Sequence, residues 1–282
     1  MEFTELHKHR DFAQMYELAL RIADIRQHPN FSKQQLKILD IQGGNGILGR
    51  LLYEFLGGNV EYTNVDNNGN VLTLSPPKTI KHDSNFLSGM LKGEEFDYIF
   101  CLNHDTHVSL PYFADTENHW SDNYIDVEGI RGIMTSIQLL QAAVFLRNGG
   151  YYIKGGGVIT DDNISAFDKF FKRGGTGIQL KLSEELKLSD GTARDFASYD
   201  ARRSVNYWKN LETQQYEKVT EEEIKKIINE AMEHYKTLRV VSFQKSEATD
   251  GKKSMLEKLV RYEQGLGSAY AQIEAMDRFG PS

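Results

Sequence analysis

Leu36-Lys37-Ile38-Leu39-Asp40-Ile41-Gln42-Gly43-Gly44-Asn45-Gly46-Ile47-Leu48-Gly49-Arg50 decides the fold, because the hydrophobic period changes within it. Ile38, Leu39 and Ile41 make the short apolar run of a parallel strand buried on both faces, whereas Leu48, Leu51, Leu52 and Phe55 recur at helical spacing. The glycines between them make a strand-to-helix turn. Such a turn lets backbone approach a ligand closely and aims free helix N-terminal N–H groups at it, which suits a nucleotide-like cofactor.

Two patterns compete for this turn. Gly44 to Gly49 satisfies G-x-G-x-x-G, and Asp66 stands at about the distance of the acid that bonds a ribose hydroxyl in dinucleotide folds. Asp40 separates the two, because the dinucleotide pattern wants an apolar side chain at the end of its first strand. Asp40-Ile41-Gln42-Gly43-Gly44-Asn45-Gly46 instead resembles the first motif of the class I S-adenosylmethionine (SAM)-dependent methyltransferases, an acid followed by x-Gly-x-Gly-x-Gly. Gln42 replaces the first of those glycines, a departure that leaves room for an atypical use of SAM.

The resemblance covers roughly Leu36 to Trp208. It implies a three-layer, doubly wound, mostly parallel seven-stranded α/β sheet with helices on both faces. It also implies SAM as cofactor, with S-adenosylhomocysteine as its product, held by Asp40, Gln42, Gly43, Gly44, Gly46, Asp66, Asn67, Asp83, Ser84 and Asn103. Asp66 closes the alternating strand Val60 to Asp66 and is expected on the ribose. Asp83 is the candidate for the adenine amine, with Asn85 or Phe86 at the ring.

The order of the other segments sets the expected domains. Residues 1–35 read as an N-terminal helical cap, an amphipathic helix through Phe12, Met15, Tyr16, Ala19 and Leu20 that stops near Pro29 and could cover the cofactor mouth. Residues 36–212 are the SAM-binding domain. In it Thr79 to Lys81 is a third strand, Phe96 to Leu102 a fourth, and a helix from about Asp126 to Asn148-Gly149-Gly150 leads into a fifth at Tyr151 to Lys154. Ile178 to Leu182 and Arg203 to Trp208 are expected to pair as the closing antiparallel strands. Residues 213–282 read as a helical extension, opened by the capping box Thr220 to Glu223, with a further strand possible at Leu238 to Phe243.

The fourth strand leads into an insertion of about 103–126, longer than ordinary strand-to-helix loops and so expected to be a lid or substrate wall. His104 and His107 are the candidate general bases, with Asp105 to orient either ring. Tyr112, Phe113, Trp120 and Tyr124, together with Lys154, are the candidate substrate contacts. His104, Asp105, His107, His119 and Asp122 are ligand types within one loop, but no double-carboxylate motif accompanies them and no metal is expected.

Composition narrows the partners. A net charge of −7 gives no reason to expect a long polyanion, and no window approaches the roughly 18 apolar residues of a membrane span. Cys101, the single cysteine, excludes intramolecular disulfides and fits a buried packing role in a cytoplasmic protein. The function expected is methylation of a small molecule at oxygen or nitrogen, with a homodimer through the C-terminal helices as a further possibility. Three other readings stay open: ring closure releasing methylthioadenosine from the same cradle, RNA ribose 2'-O-methylation through Lys154 and Glu247, and a non-catalytic interaction module.

Overall fold

The computed structural model describes residues 10–31, 33–43, 46–56, 59–66, 78–102, 127–155, 159–204, 207–209, 216–218, 220–246 and 251–279. Its strands are β1 (Leu36–Ile41), β2 (Val60–Asp66), β3 (Lys78–Lys81), β4 (Phe96–Cys101), β5 (Leu146–Gly155), β6 (Ile178–Lys187), β7 (Tyr207–Lys209), β8 (Tyr216–Lys218) and β9 (Thr237–Lys245). Its helices are α1 (Arg10–Ala23), α2 (Ile47–Leu56), α3 (Val127–Phe145), α4 (Asp161–Arg173), α5 (Asp190–Ser204), α6 (Glu221–His234) and α7 (Lys252–Phe279).

Seven strands form one sheet in the order β3-β2-β1-β4-β5-β9-β6, and β9 alone runs against its neighbours. The period of two along each strand divides the core into two layers. Leu36, Ile38, Val60, Tyr62, Tyr98 and Phe100 face α1 and α2, while Leu39, Ile41, Val65, Ile99, Cys101, Tyr152 and Phe243 face α3, α4 and α7. Both faces are covered, which explains why β1 and β4 read as nearly continuous apolar runs. Cys101 is fully buried, as its apolar setting suggested.

The antiparallel closure differs from the expected one. Ile178 opens a ten-residue β6 that pairs along its whole length with β9, not with Arg203 to Trp208. Arg203 and Ser204 end α5, and Tyr207 to Lys209 pairs with β8 in a separate two-stranded hairpin. The reason lies in burial. Leu238, Val240, Val241 and Phe243 are all buried in the sheet between β5 and β6, so the strand that completes the sheet is the one read as possible at Leu238 to Phe243, inside the stretch expected to be a helical extension. The stretch between Leu182 and Arg203 is the outer half of β6 followed by α5, whose Ala193 and Ala197 pack on Ile228 of α6 and on Tyr235 at its end.

The α3–β5 junction also shifts. The helix ends at Phe145, and Asn148-Gly149-Gly150 lies inside β5, where the register with β4 jumps between Phe96 and Tyr98. Lys245 of β9 explains the early stop: its buried ammonium donates to the carbonyls of Ala143 at 2.9 Å and Leu146 at 2.8 Å, groups a helix terminus otherwise leaves without partners. Gly149 has φ of 80°, and a methyl built on Gly150 would meet Asp97 O at 2.7 Å, so both glycines are needed for the bulge.

α1 packs against β5, β9 and β6, and α7 lies along α3. The capping box at Thr220 forms as read, Glu223 N donating to Thr220 Oγ1 and Thr220 N to the Glu223 carboxylate. Among the described residues, no helix is long and apolar enough to cross a membrane.

The position of β9 gives a stability test. Phe243 is fully buried and packs on Tyr152 and Phe171 at centroid distances of 6.2 and 5.3 Å. Phe243→Ala is expected to lower unfolding free energy in urea by about 3–5 kcal/mol. A loss below about 1 kcal/mol would place β9 outside the core, since surface substitutions rarely exceed half that value.

Candidate functional site

In an open α/β sheet the ligand crevice lies beyond the carboxyl ends of the strands where the winding reverses. Here that point is between β1 and β4, since the chain leaves β1 through α2 on one face and precedes β5 through α3 on the other. Asp40 stands at the end of β1. It is 2% exposed, and the buried Tyr62 hydroxyl donates a short hydrogen bond to its Oδ2. The register accounts for the pair: Asp40 lies opposite Asn64, so Tyr62 is the same-face neighbour two residues earlier on β2.

Gly43 seals this carboxyl. A methyl built there would collide with the Asp40 carboxylate and stand 2.6 Å from Asn64 Oδ1, so the turn can cross the strand ends only as glycine. Burial pushes the Asp40 carboxyl up to about 7, and the nearby Asp66 adds to the rise, while the Tyr62 hydrogen bond opposes it. The Tyr62 hydroxyl is driven well above its ordinary range by burial and by Asp40, which keeps it a donor.

Gln42 occupies the position of the missing glycine with φ of 58°, a left-handed conformation that costs most residues about 1–2 kcal/mol. Two bonds hold it there. Its N–H donates to Val65 O at 2.7 Å, and its side-chain Nε2 donates to Ser84 Oγ at 2.7 Å. The departure from the glycine pattern thus ties the turn to the segment after β3. Gly46, with φ of 76°, donates its N–H to Gly43 O at 3.0 Å and accepts from Arg50 N at 3.1 Å, opening α2.

Asp66 closes β2 and is 8% exposed, its carbonyl accepting His82 N at 3.0 Å. Asp83 Oδ1 accepts both the N–H and the side-chain Nδ2 of Asn85 at 2.9 Å, and Ser84 O accepts Gln141 Nε2 of α3 at 2.7 Å. Asn85 is 1% exposed, and its Oδ1 is a buried acceptor without a hydrogen-bond partner among the described residues. Asp40, Gln42, Gly43, Gly46, Asp66, Asp83 and Ser84 therefore converge at one end of the sheet.

Lys154 stands at the same carboxyl end of the sheet, two strands from Asp40. It pairs with Cys101 across β4 and β5, on the α3 face, where its buried ammonium donates to Gln138 Oε1 at 3.0 Å. Gly44, Asn67, Asn103, His104, Asp105, His107, Tyr112, Phe113, Trp120 and Tyr124 lie outside the described residues, as does Glu247. Among the described residues no group of three or more His, Cys, Asp or Glu is gathered to hold a metal. Tyr62, Gln141 and Gln138 were missed in the sequence. Tyr62 had a usable signal, as a polar-tipped residue in register with the strand that carries Asp40.

The sheet, parallel but for the one reversed strand between β5 and β6, is the mostly parallel, doubly wound α/β sheet that the sequence led one to expect. No family model matches the sequence, and no curated protein matches it. Among solved structures the chain aligns with a SAM-dependent methyltransferase from Archaeoglobus fulgidus at 12% identity, over 86% of this chain and 100% of that one, with a TM-score of 0.44. It aligns with the O-MT region of StiE at 11% identity over 89% and 80%, TM-score 0.47, and with TrmN from Thermus thermophilus at 15% over 82% and 48%, TM-score 0.43.

The buried acid gives a pH test. A carboxyl whose folded pKa is raised keeps its proton after the unfolded chain has lost its own, so stability falls as pH climbs from the unfolded value toward about 7. Wild-type protein is expected to lose about 2–3 kcal/mol more than Asp40→Asn between pH 5 and pH 8 in urea unfolding. Parallel losses in the two proteins would mean that Asp40 titrates normally.

Proposed function

We propose that this chain is a SAM-dependent methyltransferase acting on a small molecule at oxygen or nitrogen. The observation that carries the reading is the placement of two buried acids, Asp40 and Asp66, at the ends of adjacent strands beside a glycine turn, at the switch point of this sheet. The reversed β9 sets the sheet apart from the 3-2-1-4-5-6 order of dinucleotide folds. The residues suit the cofactor's parts. Asp66 is the acceptor for the ribose hydroxyls, the Gly43–Gly46 turn brings backbone close to the ligand, and Asp83 through Oδ2 is the acceptor for the adenine amine. The buried Asn85 Oδ1 is a second acceptor of the kind an amine would satisfy.

SAM supplies an electrophilic methyl group, so the chain's own work is to orient the partners and, for a hydroxyl or ammonium acceptor, to take a proton. His104 or His107, oriented by Asp105, is proposed for the proton. Tyr112, Phe113, Trp120 and Tyr124 are proposed as the acceptor's wall, and no resident metal is proposed.

Calorimetry with SAM is expected to give a micromolar Kd, about −8 kcal/mol, and Asp66→Ala at least about tenfold weaker binding. Equal affinity in both proteins would remove the ribose assignment. A chain that binds a protein partner tightly and no SAM would be an interaction module instead. With the acceptor identified by mass spectrometry of co-purifying small molecules, His104→Ala or His107→Ala is expected to cut turnover by about a hundredfold or more at unchanged SAM affinity. Unchanged rates in both variants would retire the base.

A further inference from the structure

The segment after β3 is held at both ends. Its start is fixed by the site itself: His82 N bonds Asp66 O, Gln42 reaches Ser84 Oγ, and Gln141 reaches Ser84 O. Its far end is fixed by Glu263, on α7. This side chain is 7% exposed and accepts the N–H groups of Leu87 and Ser88, each at 3.0 Å, on Oε1. The Ser88 hydroxyl donates to its other oxygen in a short bond.

Two other features tie α7 to the same segment. A methyl built on Gly267, one turn beyond Glu263, would lie 3.6 Å from Phe86 Cε1, so the helix and the segment are in direct contact. Leu266 and Leu87 are both fully buried in the core layer that α7 shares with α3. A carboxylate with three donors in a buried setting makes charge-assisted bonds, stronger than neutral ones, and truncating it would strand two backbone N–H groups. Nothing in the core requires an ionised group there, since Leu87, Leu91, Leu259 and Leu266 already pack the interface. What the carboxylate adds is a fixed position for the chain between Asp83 and Ser88.

We propose that Glu263 is a positioning residue for the adenosine end of the cofactor site, clamping residues 83–88 from the C-terminal helix so that Asp83 and Asn85 stand beside Asp66. The inference rests on the SAM reading and deepens it. It gives α7 a part in cofactor binding, where the sequence suggested packing or a dimer surface.

The test is calorimetry with SAM and, separately, with adenosine on wild type, Glu263→Ala and Glu263→Gln, with circular dichroism to show that each is folded. Glu263→Ala is expected to weaken both ligands by the same factor, about tenfold or more, and Glu263→Gln, which keeps an acceptor for the two amides, by no more than about threefold. A wild-type protein that binds neither ligand overturns the cofactor reading itself. Wild-type binding with Glu263→Ala folded and within about twofold of it overturns the positioning role alone, since bonds of this class are worth more than that factor. If Glu263→Ala does not fold, Ser88→Ala carries the test. A fall of about threefold supports the clamp, and unchanged affinity overturns it.

Discussion

A carboxyl shut beneath a glycine and held by a tyrosine sets the geometry from which the rest of the site follows. Asp40 cannot reach water, so its position is fixed by Tyr62 on one side and by the backbone of Gly43 on the other. Gly43 O in turn accepts Gly46 N, and Gly46 O accepts Arg50 N in the first turn of α2. Asp40 is also close enough to Asp66 for the Asp66 charge to add to the rise of its carboxyl. Two neighbouring acids in a buried setting are unfavourable in the absence of a compensating group, and natural chains keep such arrangements mainly at functional sites.

Around this contact the sheet is tied together by buried polar groups from distant parts of the chain. Asp97 accepts Lys37 N at 2.8 Å and Arg147 Nη1 at 3.0 Å, joining the amino ends of β1, β4 and β5. Lys245 closes the end of α3, and burial lowers its ammonium to about 8 without removing its role as donor. α3 in turn supplies Gln141 to Ser84 and Gln138 to Lys154. The far half of the sheet therefore supports the crevice through hydrogen bonds to α3.

The parts of the fold visible in the sequence are those where pattern and burial coincide. β1, β2, β4 and α2 follow from a change of period across glycines, and the Thr220 capping box follows from local chemistry alone. The closure of the sheet followed only in part, because Tyr207 and Trp208 carry strand-like side chains yet pair only with the short β8, whereas β9, read as no more than a possible strand, sits among helix formers. Pairing between β5 and β9 joins segments about ninety residues apart, a distance over which local propensity carries no information. Within the site, Asp40, Gly43, Asp66 and Ser84 were legible as a motif. The role of Gln42 was not, because its bond to Ser84 depends on where the third strand's exit lies in space. Glu263 was illegible for the same reason, being 175 residues from Ser88.

The proposed function requires the end of the sheet built on Asp40, Gly43 and Asp66 to be an adenosine-bearing cofactor site. A crystal structure of the protein grown with S-adenosylhomocysteine tests it most directly. Ligand density is expected over the Gly43 to Gly46 turn, with the ribose on Asp66 and the adenine beside Asp83 and Asn85. Density at another surface, or an empty crevice at saturating ligand, would contradict it.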